Sequence, residues 1–232
     1  MKSTKKALSL AVALLLALSC VMLAGCGAKN EVKGIGTQKA TEAAATTAAD
    51  TAPATLEEAA YKKPYTGSSK TVEIDVKVYG KITVELDDTY APITVKNFLN
   101  LVNEGFYDGL TFHRIIKGFM IQGGDPLGNG TGGNNIHIKG EFSSNGVENP
   151  LKHTPGVISM ARSSDPDSAS SQFFIMSQGY YPELDGKYAA FGKVTSGMEV
   201  VDKIAETVKV EDANGTVAKE NQPTINSIKI IE

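Results

Sequence analysis

The chain changes character near residue 70, where apolar and polar residues begin to alternate. The alternation runs through 71–78 and again through 81–86, and a period of two places the apolar side chains on one face of a β-strand. Tyr79-Gly80 separates the two runs and is typical of a turn. The pattern therefore predicts a β-hairpin at the start of a folded domain.

Helical spacing occurs in two places further along. Pro92 stands where a helix would begin, apolar residues recur three and four positions apart through 95–102, and Gly105 marks the expected end. A second set of apolar residues with this spacing runs through 198–205. Both segments predict amphipathic helices.

Short apolar runs separated by glycine-rich turns make up most of the remaining domain. They cover residues 110–116, 119–122, 157–160, 173–177, 189–194 and 225–231. Many short strands with two helices indicate a mainly β protein, either a closed antiparallel barrel capped by helices or a sandwich. The periodicity alone does not distinguish these two folds.

The first 26 residues predict export. Three lysines precede an apolar run over 7–24, which is the layout of a secretory signal peptide. Leu23-Ala24-Gly25-Cys26 resembles the bacterial lipobox. We therefore expect cleavage after residue 25 and a diacylglycerol on Cys26, which anchors the protein to the cell membrane outside the cytoplasm. The alternatives are a cleaved, secreted protein and an uncleaved anchor, although about 18 apolar residues are at the lower limit for spanning a bilayer.

The segment that follows predicts a disordered, flexible tether. The stretch 41–50 contains only Ala, Thr, Glu and Asp, and such segments cannot bury enough apolar surface to offset their ordering entropy. The sequence thus divides into a lipoprotein signal peptide over 1–25, a lipidated cysteine with a tether over 26–69, and one domain over 70–232.

Composition excludes several functional classes for this domain. The net charge is −3 and no stripe of Lys and Arg stands out, which argues against nucleic-acid binding. Cys20 and Cys26 both precede the domain, which excludes a disulfide scaffold and, with only three histidines in the chain, argues against a structural zinc site. The segment 128–133 matches a dinucleotide-binding pattern, but its flanking residues predict a loop instead of the required strand and helix.

Candidate chemistry concentrates between residues 112 and 125. This segment combines an arginine with Phe, Met and Gln side chains and closely spaced glycines. Alternate residues of a strand share a face, so we expect Met120 beside Gln122, and Phe174 beside Gln172. Polar groups mixed with Phe and Met on one face are typical of a shallow binding groove.

Several motifs in this part of the chain resemble those of the cyclophilin-type peptidyl-prolyl cis-trans isomerases. They are, in order, Phe112-His-Arg-Ile-Ile, Gly118-Phe-Met, Gln122-Gly-Gly-Asp125, Gly130-Thr-Gly-Gly133, Ser171-Gln-Phe-Phe174, Leu184-Asp-Gly186 and Phe191-Gly-Lys-Val194. The resemblance covers about residues 70–232. It implies an eight-stranded antiparallel β-barrel capped by two α-helices, proline-containing polypeptides as substrates, and no metal or cofactor.

The chemistry of that reaction suits an arginine beside an apolar pocket. Rotation about a peptide C–N bond has a barrier of about 18–20 kcal/mol, and a catalyst must bind the twisted amide more tightly than either planar form. Twisting localises a lone pair on the proline nitrogen, to which a guanidinium can donate a hydrogen bond. Apolar surroundings also weaken amide resonance, because the planar form is the more dipolar one.

The resemblance implies a role for individual residues. Arg114 is the expected electrostatic catalyst, and Gln122 is expected to hold it and to bind the substrate backbone. The other expected substrate-binding residues are Phe119, Met120, Phe174 and Leu184 in the proline pocket, Ala161, Arg162, Ser163 and Gln172 along an extended substrate, and Tyr188 covering the pocket.

Three positions depart from the family pattern. Arg162 stands where asparagine is usual. Tyr188 stands where histidine is usual, although a tyrosine still covers the pocket and donates a hydrogen bond. Glu183 replaces the tryptophan of many eukaryotic members, so we expect weak inhibition by cyclosporin-type ligands.

The three histidines are not expected to take part in the chemistry. His113 lies beside Arg114 on a predicted strand, so its side chain is expected to point inward as a structural residue. His137 and His153 lack a spacing typical of a metal site and are expected to be solvated loop residues.

Two functional hypotheses follow. The first is a monomeric, membrane-tethered, extracytoplasmic isomerase that assists the folding of exported proteins and does not bind nucleic acid. The second is a chaperone-like lipoprotein that holds extended proline-containing segments without catalysis. The presence together of Arg114, Phe119, Gln122 and Phe174 favours the enzyme, since a protein that only binds need not keep them.

Overall fold

The structure is a computed structural model that describes residues 70–231. The predicted signal peptide, the lipidated Cys26 and the predicted tether lie outside the described residues. Within 70–231, no helix combines the length and the apolar character that crossing a membrane requires.

Within residues 70–231, eight strands form one antiparallel sheet. They are β1 (Thr71–Val76), β2 (Gly80–Leu86), β3 (Thr111–Ile116), β4 (Met120–Asp125), β5 (Val157–Met160), β6 (Phe173–Met176), β7 (Ala190–Ser196) and β8 (Ile225–Ile230). Their order in the sheet is β3-β4-β6-β5-β7-β2-β1-β8, and each neighbouring pair is antiparallel. The predicted mainly β class is confirmed, and a sandwich is excluded because all the described strands belong to one sheet.

The end strands β3 and β8 meet only at one end, so the sheet curls into a half-barrel and not into the fully closed barrel expected from the sequence. A single bridge joins Thr111 to Thr224, and Phe112 N–H donates to the Pro223 oxygen at 2.9 Å. Further along β3, the segment 215–217 occupies the free edge, where Ile115 N–H donates to the Gly215 oxygen at 2.8 Å. This insertion keeps β8 from pairing along the whole of β3.

The part of the chain that the structure describes contains two α-helices, α1 (Pro92–Asn103) and α2 (Met198–Thr207), which lie close to their predicted positions. Ala91, the residue that precedes α1, makes no side-chain hydrogen bond that would cap the N-terminus of the helix. Instead, the buried and distant Glu141 accepts hydrogen bonds from the N–H groups of Ile93 and Thr94 at 3.0 and 2.7 Å. A carboxylate at this position satisfies N–H groups that have no partner within the helix and interacts favourably with the helix dipole.

The hydrophobic side chains form two separate clusters. The larger one is the main core, in which the ring of Phe98 from α1 lies 5.2–5.6 Å from those of Tyr107, Phe173 and Phe191. The smaller one, which we call the groove cluster, has five buried members: Met120, Val157, Phe174, Met176 and Ala190. Because β4, β5, β6 and β7 each contribute to the groove cluster, this cluster lies against one stretch of the sheet.

Candidate active site

Two other parts of the chain hold the guanidinium of Arg114. Nη1 donates to Oε1 of Gln122 at 3.1 Å, and the two residues are opposite each other in the β3–β4 ladder. Nε donates to the backbone oxygen of Asn214 at 2.8 Å, and Nη2 donates to its side-chain oxygen at 3.3 Å. Arginine has five N–H donors, so two of them have no acceptor among residues 70–231 and are available to a ligand.

The charge on Arg114 is permanent. Burial lowers the pKa of the half-buried Arg114, while nearby Tyr188 and Asp212 act in the opposite direction. An arginine nevertheless remains protonated at any physiological pH. The site therefore presents a positive charge whose position is fixed by Gln122 and Asn214.

The polar contacts continue from Gln122 across the sheet. Nε2 of Gln122 donates to Oε1 of Gln172 at 2.9 Å, and Nε2 of Gln172 donates to the Gly132 oxygen at 2.8 Å. Arg114, Gln122 and Gln172 thus form a row of hydrogen-bonded side chains. The row ends at the glycine-rich loop that follows β4.

The residues expected in the proline pocket come together in the groove cluster. Phe174 lies directly opposite Gln122 in the β4–β6 ladder, so the apolar cluster borders the row of polar side chains. The half-buried residues packed against the cluster include Phe119, Ala161, Leu184 and Tyr188. This surface is apolar and partly open, and it borders Gln122, whose side chain holds Arg114.

Tyr181, which sequence reasoning did not single out, supports the outer side of this pocket. The ring of Phe119 lies 4.4 Å from that of Tyr181, and the Tyr181 hydroxyl donates to the Gly118 oxygen at 2.8 Å. This ties the β3–β4 turn, which carries Phe119, to the segment after β6. Tyr180 and Tyr181 are adjacent in the sequence and form no periodic pattern from which this role could be predicted.

The prediction of a solvated His153 is wrong, because this side chain is 0% exposed and its ring lies against Phe174 of the groove cluster. Its Nδ1 lies 3.0 Å from Oδ1 of Asp185, and its Nε2 lies 3.1 Å from the Ser159 hydroxyl. Since an ionised carboxylate only accepts hydrogen bonds, Nδ1 carries the hydrogen and Nε2 accepts from Ser159. The ring stacks against Phe174 with centroids 6.0 Å apart, so His153 positions a pocket residue.

The carboxyl group of Asp185 has an unusually low pKa. Burial alone would raise its pKa, but hydrogen bonds from the His153 backbone, the Tyr180 hydroxyl and the His153 ring lower it, together with the charge of Lys152, to about 2. For the His153 imidazole, by contrast, burial lowers the pKa, although the hydrogen bond and the charge of Asp185 oppose this change. The pair is therefore a carboxylate with a neutral imidazole at neutral pH.

The other two histidines lie as predicted. His113 points inward and is 4% exposed, and neither ring nitrogen has a hydrogen-bond partner among the described residues. Burial is the largest cause that lowers the pKa of His113. His137 is exposed in a loop.

The glycine-rich segment 128–133 is a loop shaped around the buried Asp125. The carboxylate accepts hydrogen bonds from the N–H groups of Leu127, Asn129 and Gly130 at 2.8, 3.0 and 2.6 Å. Burial would raise the pKa of Asp125, but these N–H groups bring it below its ordinary value. The segment follows a strand but leads into no helix, which confirms the prediction of a loop.

The segment 161–163 is irregular and begins where β5 ends. Ala161 N–H donates to the Gln172 oxygen at 2.9 Å, and the Ser163 hydroxyl donates to that of Ser168 at 2.8 Å. The segment lines a cavity of about 380 Å³ together with Gln122 and Gln172. A larger cavity of about 490 Å³ lies elsewhere and contains none of the predicted site residues. Pairing of 161–163 with an extended substrate stays a prediction.

A fixed guanidinium with free donors, joined through Gln122 to a half-buried apolar cluster, has the two parts that rotation of an X-Pro bond requires, and the eight-stranded sheet with two helices agrees with the fold expected for the cyclophilin class. The family model described as "Cyclophilin type peptidyl-prolyl cis-trans isomerase/CLD" matches residues 71–232. The chain belongs to this family and is a peptidyl-prolyl cis-trans isomerase.

Relatives and solved structures agree with this assignment. The chain is 44% identical over 166 residues to the peptidyl-prolyl cis-trans isomerase cypE of Dictyostelium discoideum, covering 71% of this chain and 97% of that protein. It is 48% identical over 140 residues to peptidyl-prolyl cis-trans isomerase B of Bacillus subtilis, covering 60% and 88%. A crystal structure of a Cryptosporidium parvum cyclophilin type isomerase matches with a TM-score of 0.62 and 33% identity, covering 71% of this chain and 98% of that one. That protein has also been crystallised in the presence of the dipeptide Ala-Pro.

Proposed function

We propose that Arg114 catalyses the rotation by donating a hydrogen bond to the proline nitrogen as the amide twists. The observation that carries this proposal is the pair of free N–H donors on a guanidinium that Gln122 and Asn214 hold in place. The planar amide nitrogen is a poor acceptor because its lone pair is delocalised. The hydrogen bond therefore forms mainly in the transition state, which is the condition for catalysis.

The groove cluster supplies the second part of the mechanism. The proline ring would lie against Phe119, Phe174 and Leu184, which pack in that cluster. Contact with these side chains removes water from the amide and favours the less dipolar, twisted form over the planar one. Tyr188 would cover the ring, and Gln122 would bind the neighbouring substrate backbone.

The test is the rate of cis-trans exchange of an Ala-Pro-containing peptide, measured by NMR with catalytic amounts of protein. Arg114→Ala is expected to lower kcat/KM by about 100-fold or more, since it removes the group that stabilises the transition state. Lys117→Gln is a matched control, because it removes an exposed positive charge from the adjacent turn. Equal rates for Arg114→Ala and the wild type would reject this mechanism.

The same experiment separates an enzyme from a protein that only holds proline-containing segments. Such a protein would shift peptide resonances on binding without accelerating exchange. Membership of the isomerase family and the free donors of Arg114 favour the enzyme.

We also infer that the isomerase works outside the cytoplasm as a membrane-tethered monomer that assists the folding of exported proteins. This is supported by the lipobox-like sequence 23–26 and by the lack of cysteine in 70–232, which suits an oxidising compartment. Cys26→Ser is expected to abolish lipid attachment and release the protein from the membrane fraction. Cys20→Ser is the matched control and should remain lipidated. A mature chain whose mass shows no lipid would overturn the inference.

A further inference from the structure

The chain contains only two arginines, Arg114 and Arg162, among its 23 basic residues. The first is the proposed catalyst. The second stands at a position where the resemblance implies asparagine and contact with substrate, yet its guanidinium is turned toward the protein itself.

Arg162 joins three segments that are distant in the chain. Its Nε and Nη2 both donate to the Lys187 oxygen, at 2.9 and 2.8 Å, and its Nη1 donates to the Ser163 oxygen at 2.7 Å. The guanidinium also lies 5.1 Å from the ring centre of Phe142 and 4.7 Å from that of Tyr188. Both distances are within the range of cation–π attraction.

Only an arginine can make this set of contacts. Two N–H groups converge on one backbone oxygen, which requires the fixed geometry of the guanidinium, and the planar group stacks on aromatic rings. A lysine would supply the charge, but it has neither the rigid arrangement of donors nor a planar group that can stack on a ring. The acceptors of these bonds are backbone oxygens, so the arrangement does not depend on an acidic partner.

The contacts matter because of what the turn 184–188 carries. Leu184 and Tyr188 pack against the groove cluster. The ring of Tyr188 meets that of Phe174 edge-on at 6.0 Å, on the pocket side. Arg162 thus contacts both the end of this turn, at Lys187, and the ring that the turn places over the pocket.

We propose that Arg162 is a positioning residue that fixes the turn 184–188 and the Tyr188 ring as one wall of the substrate pocket. This inference rests on the proposed function, since it takes the groove cluster as the pocket. A wall that is already ordered reduces the entropy lost on binding. The wall contacts ground state and transition state alike, so its loss should raise KM and leave kcat nearly unchanged.

The experiment measures kcat and KM separately from NMR exchange at several concentrations of an X-Pro peptide. Arg162→Gln is expected to raise KM by about three- to tenfold, as the loss of one partly buried cation–π contact predicts, with kcat within about twofold of the wild type. Arg162→Lys should behave like Arg162→Gln, because charge alone is not sufficient. Lys139→Gln, which removes an exposed positive charge from the segment preceding Phe142, is the control and should match the wild type.

A double-mutant cycle identifies Tyr188 as the group through which Arg162 acts. If the proposal holds, Arg162→Gln raises the KM of a Tyr188→Ala variant by a smaller factor than it raises the KM of the wild type, because the ring that it positions is already absent. Additive effects would overturn the proposal. So would a normal KM in Arg162→Lys, or a loss of kcat at constant KM in Arg162→Gln.

Tyrosine ring resonances of selectively labelled protein give a readout that needs no turnover. The Tyr188 signal should shift in Arg162→Gln and Arg162→Lys and stay in place in Lys139→Gln. This measurement separates the two proposals: absence of exchange in the wild type rejects the isomerase mechanism, whereas an unmoved Tyr188 signal rejects the role of Arg162.

Discussion

Replacing Asp185 by asparagine tests how the network behind the pocket contributes to stability. The carboxylate is 11% exposed and accepts hydrogen bonds from the His153 backbone at 2.9 Å, the His153 ring at 3.0 Å and the Tyr180 hydroxyl at 2.7 Å. Asparagine keeps one acceptor oxygen but carries no charge. The substitution therefore removes the charge-assisted part of these bonds and leaves the shape of the side chain almost unchanged.

The size of the effect follows from the pKa of Asp185. A decrease from 3.8 to about 2, at about 1.4 kcal/mol per pKa unit, corresponds to about 2 kcal/mol of folding free energy. Solvent screening on the open side of the carboxylate reduces this to about 1–2 kcal/mol. Because the folded-state pKa is lowered, this stabilisation is present above about pH 4 and is lost as the pH falls toward 2.

The assay is urea-induced unfolding of wild type and Asp185→Asn at a series of pH values from 7 to 2.5. We expect the variant to be less stable by about 1–2 kcal/mol at pH 7, and the difference should shrink steadily below pH 4 as the wild-type carboxylate takes up its proton. Glu183→Gln is the control, since Glu183 is an exposed acid two positions away. A difference that stays constant down to pH 2.5 would refute this account and assign the loss to packing.

Three further predictions concern other parts of the domain. Val78 is 86% exposed at the tip of the first hairpin with a φ of 61°, a conformation that costs a β-branched residue about 1–2 kcal/mol. Val78→Gly should therefore raise the free energy of unfolding by about 1 kcal/mol in chemical denaturation, and a loss of stability would contradict this. Burial lowers the pKa of His113 in the folded protein, so below about pH 6.5 the unfolded chain takes up a proton first and the wild type loses stability as the pH falls. His113→Leu should therefore make stability less dependent on pH between about 6.5 and 5; an unchanged pH profile would show that the ring takes up its proton at the same pH in both states. Calorimetry should find weak binding of cyclosporin, with tighter binding in Glu183→Trp because an indole adds apolar surface and a donor; low-nanomolar binding by the wild type would disprove the importance of this position.

The parts of the fold that sequence predicted well are those set by neighbouring residues. The alternation in 71–86 and the helical spacing after Pro92 located β1, β2 and α1 within a few residues, because strand and helix periods are local properties. The closeness of Arg114 to Gln122 also follows from a local feature, since the turn between them makes β3 and β4 a hairpin.

The features that sequence did not predict join residues far apart in the chain. Glu141 bonds to Ile93 and Thr94, which lie nearly 50 positions earlier, and no capping pattern precedes α1. Asn214 holds Arg114 from 100 positions away, and the only signal there is an Asn-Gly pair typical of a turn. The sequence around His153 predicts a solvated loop residue, whereas its partner Asp185 lies 32 positions further on. Such contacts depend on tertiary packing, which periodicity does not describe.

The hold of Asn214 on Arg114 has a consequence for the order of events during biosynthesis. Arg114 is synthesised 100 residues before Asn214, which is one of its two supports. A ribosome-bound chain that ends before residue 214 lacks this support whatever else has folded. The guanidinium is thus fully held only after residue 214 has been synthesised, and removal of the segment that carries Asn214 releases it even when the whole β3–β4 hairpin is intact.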